Sequence, residues 1–299
     1  GQNRGQENRE ENRVRGPALL VAGIALFGLL DANSKLLSGQ YAVGQVILLR
    51  YAVLAALFLL ARSIIPGAGG ELRTRHPWLH VGRACCMMVS AGGFFLAFRQ
   101  LSLAEGYLIF FTSPFWTLLF AAIFLRERVP AIAWVWVAVG FGGVLLTVWP
   151  RLSDSSGSAF GYVAALVSTL TYSGTLTINR QLRGESGMAR VLLFPTLMGI
   201  ALYGPIAAYD WVWPTPRDWV ALCVNGLIAG SAVVATAAAF RHADSARLAP
   251  FGFAGLPVGL ILDLMIWDRW PAVATLLGGA VVVWACLMSE RAQKRLRGT

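Results

Sequence analysis

Two prolines, Pro114 and Pro257, stand in the middle of long apolar runs of this 299-residue sequence. A proline within a helix lacks a backbone N–H, so the carbonyl four residues earlier, here that of Phe110 and of Phe253, loses its donor. In lipid such a carbonyl needs another partner or must line a cavity. We therefore predict that the two prolines break a pair of helices and present carbonyl oxygens to a substrate ammonium. A simple helix kink is the alternative.

Aromatic and small side chains surround these prolines and could form the walls of a binding pocket. A pocket with aromatic walls and few charges suits an amphipathic or hydrophobic zwitterion. For each residue the alternative is ordinary packing. Besides the two prolines, the residues predicted to contact a substrate are Phe27, Met87, Ser90, Phe94, Tyr107, Phe111, Ser113, Tyr172 and Phe253.

Charged residues near the ends of the apolar runs could form gates. We predict an outer and an inner group, one closed while the other is open; the alternative is helix-end ion pairs of little energetic value. The outer group consists of Asp31, Lys35, Arg50, Arg99 and Glu105, and the inner group of Arg180, Arg241, Asp244, Arg247 and Glu127.

Arg50, Arg83 and Asp263 are among the charged residues inside apolar runs, where an ionised side chain is costly and usually functional. Arg50 is about two turns inside its run and needs a partner, for which Asp31 or Glu105 is predicted. Asp263 is a candidate for proton coupling, or hydrates from the outer surface beside Asp268.

The sequence offers little for bond-making chemistry, and we predict neither an enzyme, nor a metal site, nor a cofactor. His76 and His80 have the helical spacing of metal ligands, but Pro77 stands between them. Metalloprotease, serine-hydrolase and phosphate-loop motifs do not occur. The four cysteines fit no zinc-site spacing.

Composition indicates which elements must position these residues. Hydrophobic residues make up 57% of the chain and charged residues 13%, far outside the soluble range. Runs of about 20 apolar residues, each long enough to cross a bilayer, recur along the chain. There are ten, at 17–37, 43–63, 79–98, 103–125, 130–149, 159–179, 188–208, 218–240, 246–266 and 271–289. The predicted fold class is an all-α polytopic membrane protein with ten transmembrane helices.

Basic residues favour one face of this arrangement. With ten spans both termini lie on one side, and eighteen of the 25 Lys and Arg residues fall there, against five on the other side. Positively charged loops stay in the cytoplasm, so both termini are predicted to be cytoplasmic. Because the charge is spread over short loops beside membrane ends, it predicts contact with anionic lipid and no nucleic-acid partner.

The sequence also repeats itself at an offset of 141 to 143 residues. In the first span of each copy Lys35-Leu36-Leu37 matches Arg180-Gln181-Leu182, at an offset of 145, which puts Phe27 opposite Tyr172. Five spans per copy, an odd number, would place the second copy upside down in the membrane. The matched segments are Phe98-Arg99, Ala104, Pro114 and Glu127-Arg128-x-Pro130 against Phe240-Arg241, Ala246, Pro257 and Asp268-Arg269-x-Pro271. The predicted units are a disordered tail (1–16), repeat 1 (17–149), a linker (150–158), repeat 2 (159–289) and a basic cytoplasmic tail (290–299).

A set of short motifs follows one another in order along the sequence: Arg50-Tyr51, Leu96-Ala97-Phe98, Pro114, Glu127, Gly140 and Gly143. This ordered set resembles the drug/metabolite transporter superfamily, in its exporter branch built from two EamA-type repeats. In the second copy Asp268 replaces Glu127, and Pro195 stands near where Arg50 would fall. The resemblance implies export of amino acids or related amphipathic compounds across the bacterial inner membrane.

We therefore expect an alternating-access exporter of small amphipathic metabolites, above all amino acids with aromatic or other hydrophobic side chains. Its expected partners are that substrate and the lipid bilayer, and a monomer is expected to suffice. An organophosphate or nucleotide-sugar exchanger on the same scaffold is the alternative, but it would need basic residues at mid-membrane depth, which only Arg50 approaches. A membrane enzyme or receptor would need a clustered catalytic site or a large soluble domain, and the sequence predicts neither.

Overall fold

The computed structural model describes residues 2–100, 106, 109–150, 159–185, 187–268, 270 and 272–297, and all regular secondary structure in these ranges is helical. Ten helices follow the order of the ten predicted spans. They are α1 (Gln2–Ser38), α2 (Val43–Ile64), α3 (Pro77–Gln100), α4 (Ser113–Phe124), α5 (Ala131–Val148), α6 (Ala159–Gln181), α7 (Met188–Tyr209), α8 (Pro216–His242), α9 (Gly255–Trp267) and α10 (Val273–Arg297). A single helical turn (Ser245–Leu248) and a 3-10 helix (Ala249–Ala254) lead into α9.

Six helical segments are long and apolar enough to cross a membrane, and they include most of α1, α2, α7, α8, α9 and α10. Helices α4 and α5 are apolar but shorter. Helix α6 is more polar because of its threonines. The hydroxyls of Thr175 and Thr177 donate to the carbonyls of Thr171 and Ser173 at 3.1 and 2.9 Å, so that their polarity is satisfied within the helix.

Large apolar side chains cover the outside of the bundle. Leu59, Val220 and Met265 are 66%, 65% and 77% exposed, and many similar residues accompany them. Soluble monomers rarely expose extended apolar surfaces, whereas lipid tails solvate such a surface. An all-helical chain with these spans and this surface is a polytopic membrane protein.

The amino-terminal segment continues the first helix, and the predicted division of the chain into units stays a prediction. Residues 2–16, expected to be disordered, form the first turns of α1. Glu, Gln and Arg have good helix propensity, and extending a helix that already exists costs far less than nucleating a new one. The linker predicted at 150–158 lies outside the described residues except for Pro150.

Helices from the first half of the chain pack against helices from the second half. The closest pairs are α1 with α8, α2 with α7, α3 with α6, and α5 with α10. We call the end of the bundle that carries both termini the terminal side. There Gly16 of α1 lies against Ala243 at the end of α8, and Gln293 of α10 donates to the Ala246 carbonyl at 3.0 Å.

Two glycines let α5 and α10 touch backbone to backbone. A Cβ on Gly278 would lie 2.4 Å from the Gly143 oxygen, and one on Gly143 would lie 2.7 Å from the Gly278 oxygen. We expect Gly278→Ala to lower the free energy of unfolding by about 2 kcal/mol, because neither backbone can give way without separating the helices. Thermal unfolding of detergent-purified protein, followed by circular dichroism, measures the loss.

Gly142 provides the matched control, since a Cβ there would meet nothing within 4 Å. Alanine is the better helix former, so Gly142→Ala is expected to be neutral or slightly stabilising. Equal melting temperatures for the Gly142→Ala and Gly278→Ala proteins would contradict the packing argument.

The residues that end α4 and α9 share an unusual backbone conformation. Arg126 and Asp268 have φ angles of 51° and 48°, in the left-handed region, where a residue commonly closes a helix. They are 142 positions apart. The sequence motif matched Asp268 to Glu127. By backbone conformation Asp268 corresponds instead to Arg126.

Candidate functional site

Both predicted helix breaks are present. Pro114 is the second residue of α4, which follows a turn at Phe111 and Thr112, and Pro257 is the third residue of α9, which follows the 3-10 helix. The two breaks also meet, because a Cβ on Gly252 of the 3-10 helix would lie 3.1 Å from the Pro114 Cγ. Irregular backbone from both halves of the chain thus comes together at one place.

Hydroxyl groups of α6 satisfy part of the backbone at the first break. Ser173 donates to the Ser113 carbonyl at 3.2 Å, and Thr169 approaches the Ile109 carbonyl at 3.5 Å. The Thr112 hydroxyl also donates to Ile109, at 2.6 Å. Helix α6 therefore places hydroxyl groups against the backbone of the break, although the Thr169 hydroxyl donates its proton to the Ala165 carbonyl at 2.8 Å.

Five rings surround this place, and we call them the aromatic cluster: Phe94, Phe110, Phe111, Tyr172 and Phe253. The Phe110 ring centre lies 5.0 Å from that of Phe94, 5.3 Å from that of Phe111 and 5.3 Å from that of Tyr172. Phe111 in turn lies 6.3 Å from Phe253. The cluster joins α3, the α4 break, α6 and the 3-10 helix, and four of its members were predicted as substrate contacts.

Phe110 is the member that the prediction left out. It entered the sequence argument only through its carbonyl, yet its ring touches three of the other four. Its position next to Phe111 in the segment before Pro114 was the available signal. Ser113 is buried beside the cluster, and Ser90 is buried four residues before Phe94 on α3.

Other predicted contacts lie elsewhere. Phe27 and Met87 pack in a separate cluster with Val191, Val233 and Ala237, formed by α1, α3, α7 and α8. Tyr107 lies outside the described residues.

At the terminal side of the interface, side chains of the two halves pack against each other. Leu20, Leu176, Phe240 and Leu248 form a buried apolar layer against which Tyr172 packs. An ion pair reinforces it, with Arg180 Nε 2.7 Å from Glu127 Oε1, and the Glu127 carboxylate also accepts from the Ser245 N–H at 3.2 Å. Arg180 donates in addition to the Phe240 carbonyl at 3.2 Å.

The remaining members of the predicted inner group lie at the end of α8 and in the turn that follows it. Arg247 is buried and pairs with Glu290 of α10, its Nε lying 2.8 Å from Oε1. Asp244 precedes the Ser245–Leu248 turn, and its carbonyl accepts from the Arg247 N–H at 3.2 Å. Arg241 lies in the last turn of α8.

Arg50, of the predicted outer group, has neutral partners. Its Nε donates to Asn225 at 2.8 Å and its Nη2 to Ser34 at 3.2 Å. Asp31 contributes a favourable electrostatic interaction with the guanidinium. The Asp31–Arg50 pair stays a prediction. Glu105 and the side chains of Lys35, Arg99 and Asp263 lie outside the described residues.

A second polar cluster joins two loops on the terminal side. It includes His80, which the sequence analysis considered and rejected as a metal ligand. His80 Nε2 lies 2.8 Å from Glu185, whose carboxylate also accepts from the Thr74 hydroxyl at 2.7 Å and from the Arg75 N–H at 2.9 Å. Burial opposes ionisation of this carboxyl, but these hydrogen bonds outweigh it and lower the pKa of Glu185 to about 2.

This cluster predicts a pH dependence of stability. The ordinary pKa of the Glu185 carboxyl is 4.5, so its contribution is present above about pH 4.5 and is lost as the pH falls towards 2. We expect Glu185→Gln to lower the melting temperature by about 3 °C at neutral pH, and the difference to shrink by about pH 3. Glu71→Gln is the control, because that side chain is 81% exposed. A difference that is the same at all pH values would contradict the assignment.

A lateral cavity of about 520 Å³ adjoins the first break. Its lining is apolar and comes from α4, α5, α6 and the residues before α4. It is formed by Ile109, Thr112, Phe115, Trp116, Phe141 and Leu166. Within the described residues no group of three or more His, Cys, Asp or Glu side chains could hold a metal ion.

Known proteins resemble this chain over nearly its whole length, although no family model matches it. It is 26% identical over 282 residues to the pseudopaline exporter CntI of Pseudomonas aeruginosa, covering 93% of this chain and 97% of that protein. It is 23% identical over 265 residues to an S-adenosylmethionine uptake transporter of Rickettsia bellii, covering 89% of each. It is 24% identical over 279 residues to a riboflavin transporter of Rhizobium johnstonii, covering 93% of this chain and 91% of that protein.

The fold also has a solved counterpart. One crystal structure superposes with a TM-score of 0.77 at 20% sequence identity, covering 94% of this chain and 98% of that one. The three relatives are all named as transporters of small molecules. Their similarity supports membrane transport of small metabolites by this protein.

Proposed function

We propose that this protein is an alternating-access transporter that exports small amphipathic metabolites, with aromatic and other hydrophobic amino acids as the main substrate class. The observation that carries the proposal is the meeting of two proline-broken helices, one from each half, at the aromatic cluster. Rings supply apolar contact and attract a cation over their faces, and broken helices supply backbone acceptors. An amino acid presents both an apolar side chain and an ammonium group.

The proposal includes two inverted repeats of five helices. The helix pairing supports it: the first helix of each half packs against the third helix of the other, the second against the second, and the fifth against the fifth. A two-fold axis through the middle of the bundle generates such pairs. The paired breaks before α4 and α9, and the paired left-handed residues Arg126 and Asp268, agree with the same axis.

In the proposed cycle a substrate reaches the aromatic cluster from the cytoplasm and leaves on the other face. The closed apolar layer and the Arg180–Glu127 ion pair separate the cluster from the terminal side, and both must part to admit substrate. The residues proposed for the opposite gate are Asp31, Lys35, Arg99 and Glu105, and Asp263 is proposed for proton coupling. The excess of basic residues on the terminal side supports an inner-membrane location with both termini in the cytoplasm.

Phosphorylated substrates are disfavoured by the buried arginines. Arg50 and Arg83 lie inside the bundle, and both donate to protein acceptors in place of facing the aromatic cluster. The relatives point towards ring-bearing substrates, since S-adenosylmethionine joins an amino acid to an adenosine and riboflavin carries a flat flavin ring. Such rings can stack on the cluster.

Reconstitution into proteoliposomes tests the proposal. Flux of labelled phenylalanine, tryptophan, leucine, glutamate, S-adenosylmethionine, riboflavin and a sugar phosphate is measured with and without a pH gradient. Selective flux of phenylalanine, tryptophan or leucine, above that of protein-free liposomes, is the expected result. Flux of the sugar phosphate alone would overturn it, and flux of S-adenosylmethionine or riboflavin alone would replace the substrate class.

A further inference from the structure

The Arg50 guanidinium lies at a junction of three helices, near the end of the bundle opposite the termini. It comes from α2 and donates to Asn225 of α8 at 2.8 Å and to Ser34 of α1 at 3.2 Å. Asn225 is fully buried, and its amide donates to Asn33 at 2.9 Å and to Ser34 at 3.0 Å. One arginine and one asparagine thus connect two helices of the first half with one of the second.

Arg83 lies at a second such junction, on the terminal side. It comes from α3, is 1% exposed, and donates to Asn179 of α6 at 3.2 Å and to the Val191 carbonyl of α7. That carbonyl is available because Pro195, four residues later, has no N–H to bond it. One arginine and one asparagine again connect three helices, now two of the second half with one of the first.

The two junctions occupy equivalent places in the two halves. Arg83 and Asn225 are 142 positions apart, the offset that relates Arg99 to Arg241. Ser34 and Asn179, like Arg50 and Pro195, are 145 positions apart, the offset that relates Lys35 to Arg180.

The arginine and its acceptor have therefore changed places. In the first junction the arginine stands on the second helix of its half, and in the second junction it stands on the third. This exchange explains the proline at position 195, where the repeat would lead one to expect an arginine: it supplies a carbonyl acceptor.

Both junctions are formed in the same structure. If the two junctions were alternating gates, only one of them would have its hydrogen bonds formed at a time. A junction that keeps its hydrogen bonds while the two sides of the transporter open in turn can instead serve as a pivot. We propose that Arg83 is a positioning residue for transport, the counterpart of Arg50, and that each arginine binds together one three-helix unit: α1, α2 and α8 about Arg50, and α3, α6 and α7 about Arg83. The inference rests on the proposed transport function and adds that the moving bodies contain helices of both halves.

Substitution at Arg83 tests this role. Arg83→Gln keeps a polar side chain but cannot reach both acceptors, and we expect it to lower turnover about thirtyfold while the affinity for labelled phenylalanine stays within about twofold. Pro195→Ala leaves Arg83 in place but returns an N–H to the Val191 carbonyl, and a loss of about tenfold in turnover is expected. Arg73→Gln, an exposed loop arginine, is the control and is expected to retain wild-type rates.

A second measurement needs no substrate and so separates this inference from the proposed function. Spin labels on Val14 of α1 and Gln181 of α6, one in each unit, report the distance between the units after the four native cysteines are replaced by alanine. The Arg83→Gln protein is expected to show a clearly broader distance distribution than wild type, with a melting temperature within about 3 °C.

The two measurements decide the proposal between them. An unchanged distance distribution would overturn it whether or not the wild-type protein transports phenylalanine. It would also be overturned if total flux and the number of phenylalanine-binding sites fell together in proportion to lost folded protein, because Arg83 would then serve only stability. The third outcome is a broader distance distribution in the Arg83→Gln protein together with a wild-type protein that transports none of the compounds. It would support the pivot and reject the proposed substrate class.

Discussion

Replacing Arg50 by alanine is expected to lower the initial rate of substrate flux about a hundredfold. The substitution removes the guanidinium from the junction and leaves the buried Asn225 amide oxygen without this donor, while the Ser34 hydroxyl keeps its bond from the Asn225 amide. Tracer flux into proteoliposomes that contain equal amounts of folded protein measures the effect. Arg50→Lys is expected to recover little, because an ammonium cannot reproduce the two-armed geometry of the guanidinium.

The matched control lies on the same helix. Arg62 stands in the last turn of α2 and donates to the carbonyls of Ala68 and Gly70 near the surface. Arg62→Ala removes the same charge from the same helix and is expected to change flux by less than about twofold. Normal flux through the Arg50→Ala protein would remove Arg50 from the transport machinery.

The Pro114→Ala, Pro257→Ala double variant is expected to lower flux about fiftyfold. Alanine returns an N–H that can bond the Phe110 and Phe253 carbonyls, so that both helices can continue through their breaks. The Phe110 carbonyl that we propose as a substrate acceptor is then used up. The Phe253 carbonyl, which accepts from the Gly255 N–H, gains a helical donor instead, and both hinges become ordinary helix. Each single variant is expected to show a smaller loss, since one break is left intact.

Pro205→Ala is the control for this pair. Pro205 also lies inside a helix, α7, but it is exposed and away from the aromatic cluster. Its replacement is expected to leave flux at the wild-type level. If the double variant transported as fast as the Pro205→Ala protein, the breaks would have no part in transport.

The sequence predicted the helices and the breaks well because both depend on local signals. A run of about 20 apolar residues is enough to predict a membrane helix. A proline in the middle of such a run interrupts the helix whatever packs against it. The segment 2–16 gives no such local signal, because a run of polar and charged residues suits both a solvated chain and a helix that continues from an apolar span.

The partners of buried charges could not be predicted in the same way. The pairing of Arg50 with Asp31 stays a prediction, but Asn225, 175 positions away, accepts a hydrogen bond from Arg50 that the sequence argument did not foresee. Composition alone cannot identify such a neutral partner, because the choice depends on which faces of α2 and α8 meet. The repeat did contain usable information, since it matches Asn225 to Arg83. Phe27 illustrates the same limit: its match to Tyr172 was visible in the sequence, but packing places the two rings in different clusters.

The pairing of every first-half helix with second-half partners has a consequence for biosynthesis. When ribosomes have made only the segment up to Pro150, the faces of α1, α3 and α5 that will meet α8, α6 and α10 still lack their neighbours. Membrane insertion of the first-half helices must then precede their packing against the second half. In the interval these helices are surrounded by lipid or bound to a chaperone. Two fragments divided between Pro150 and Ala159 should be inert alone and regain activity when co-expressed.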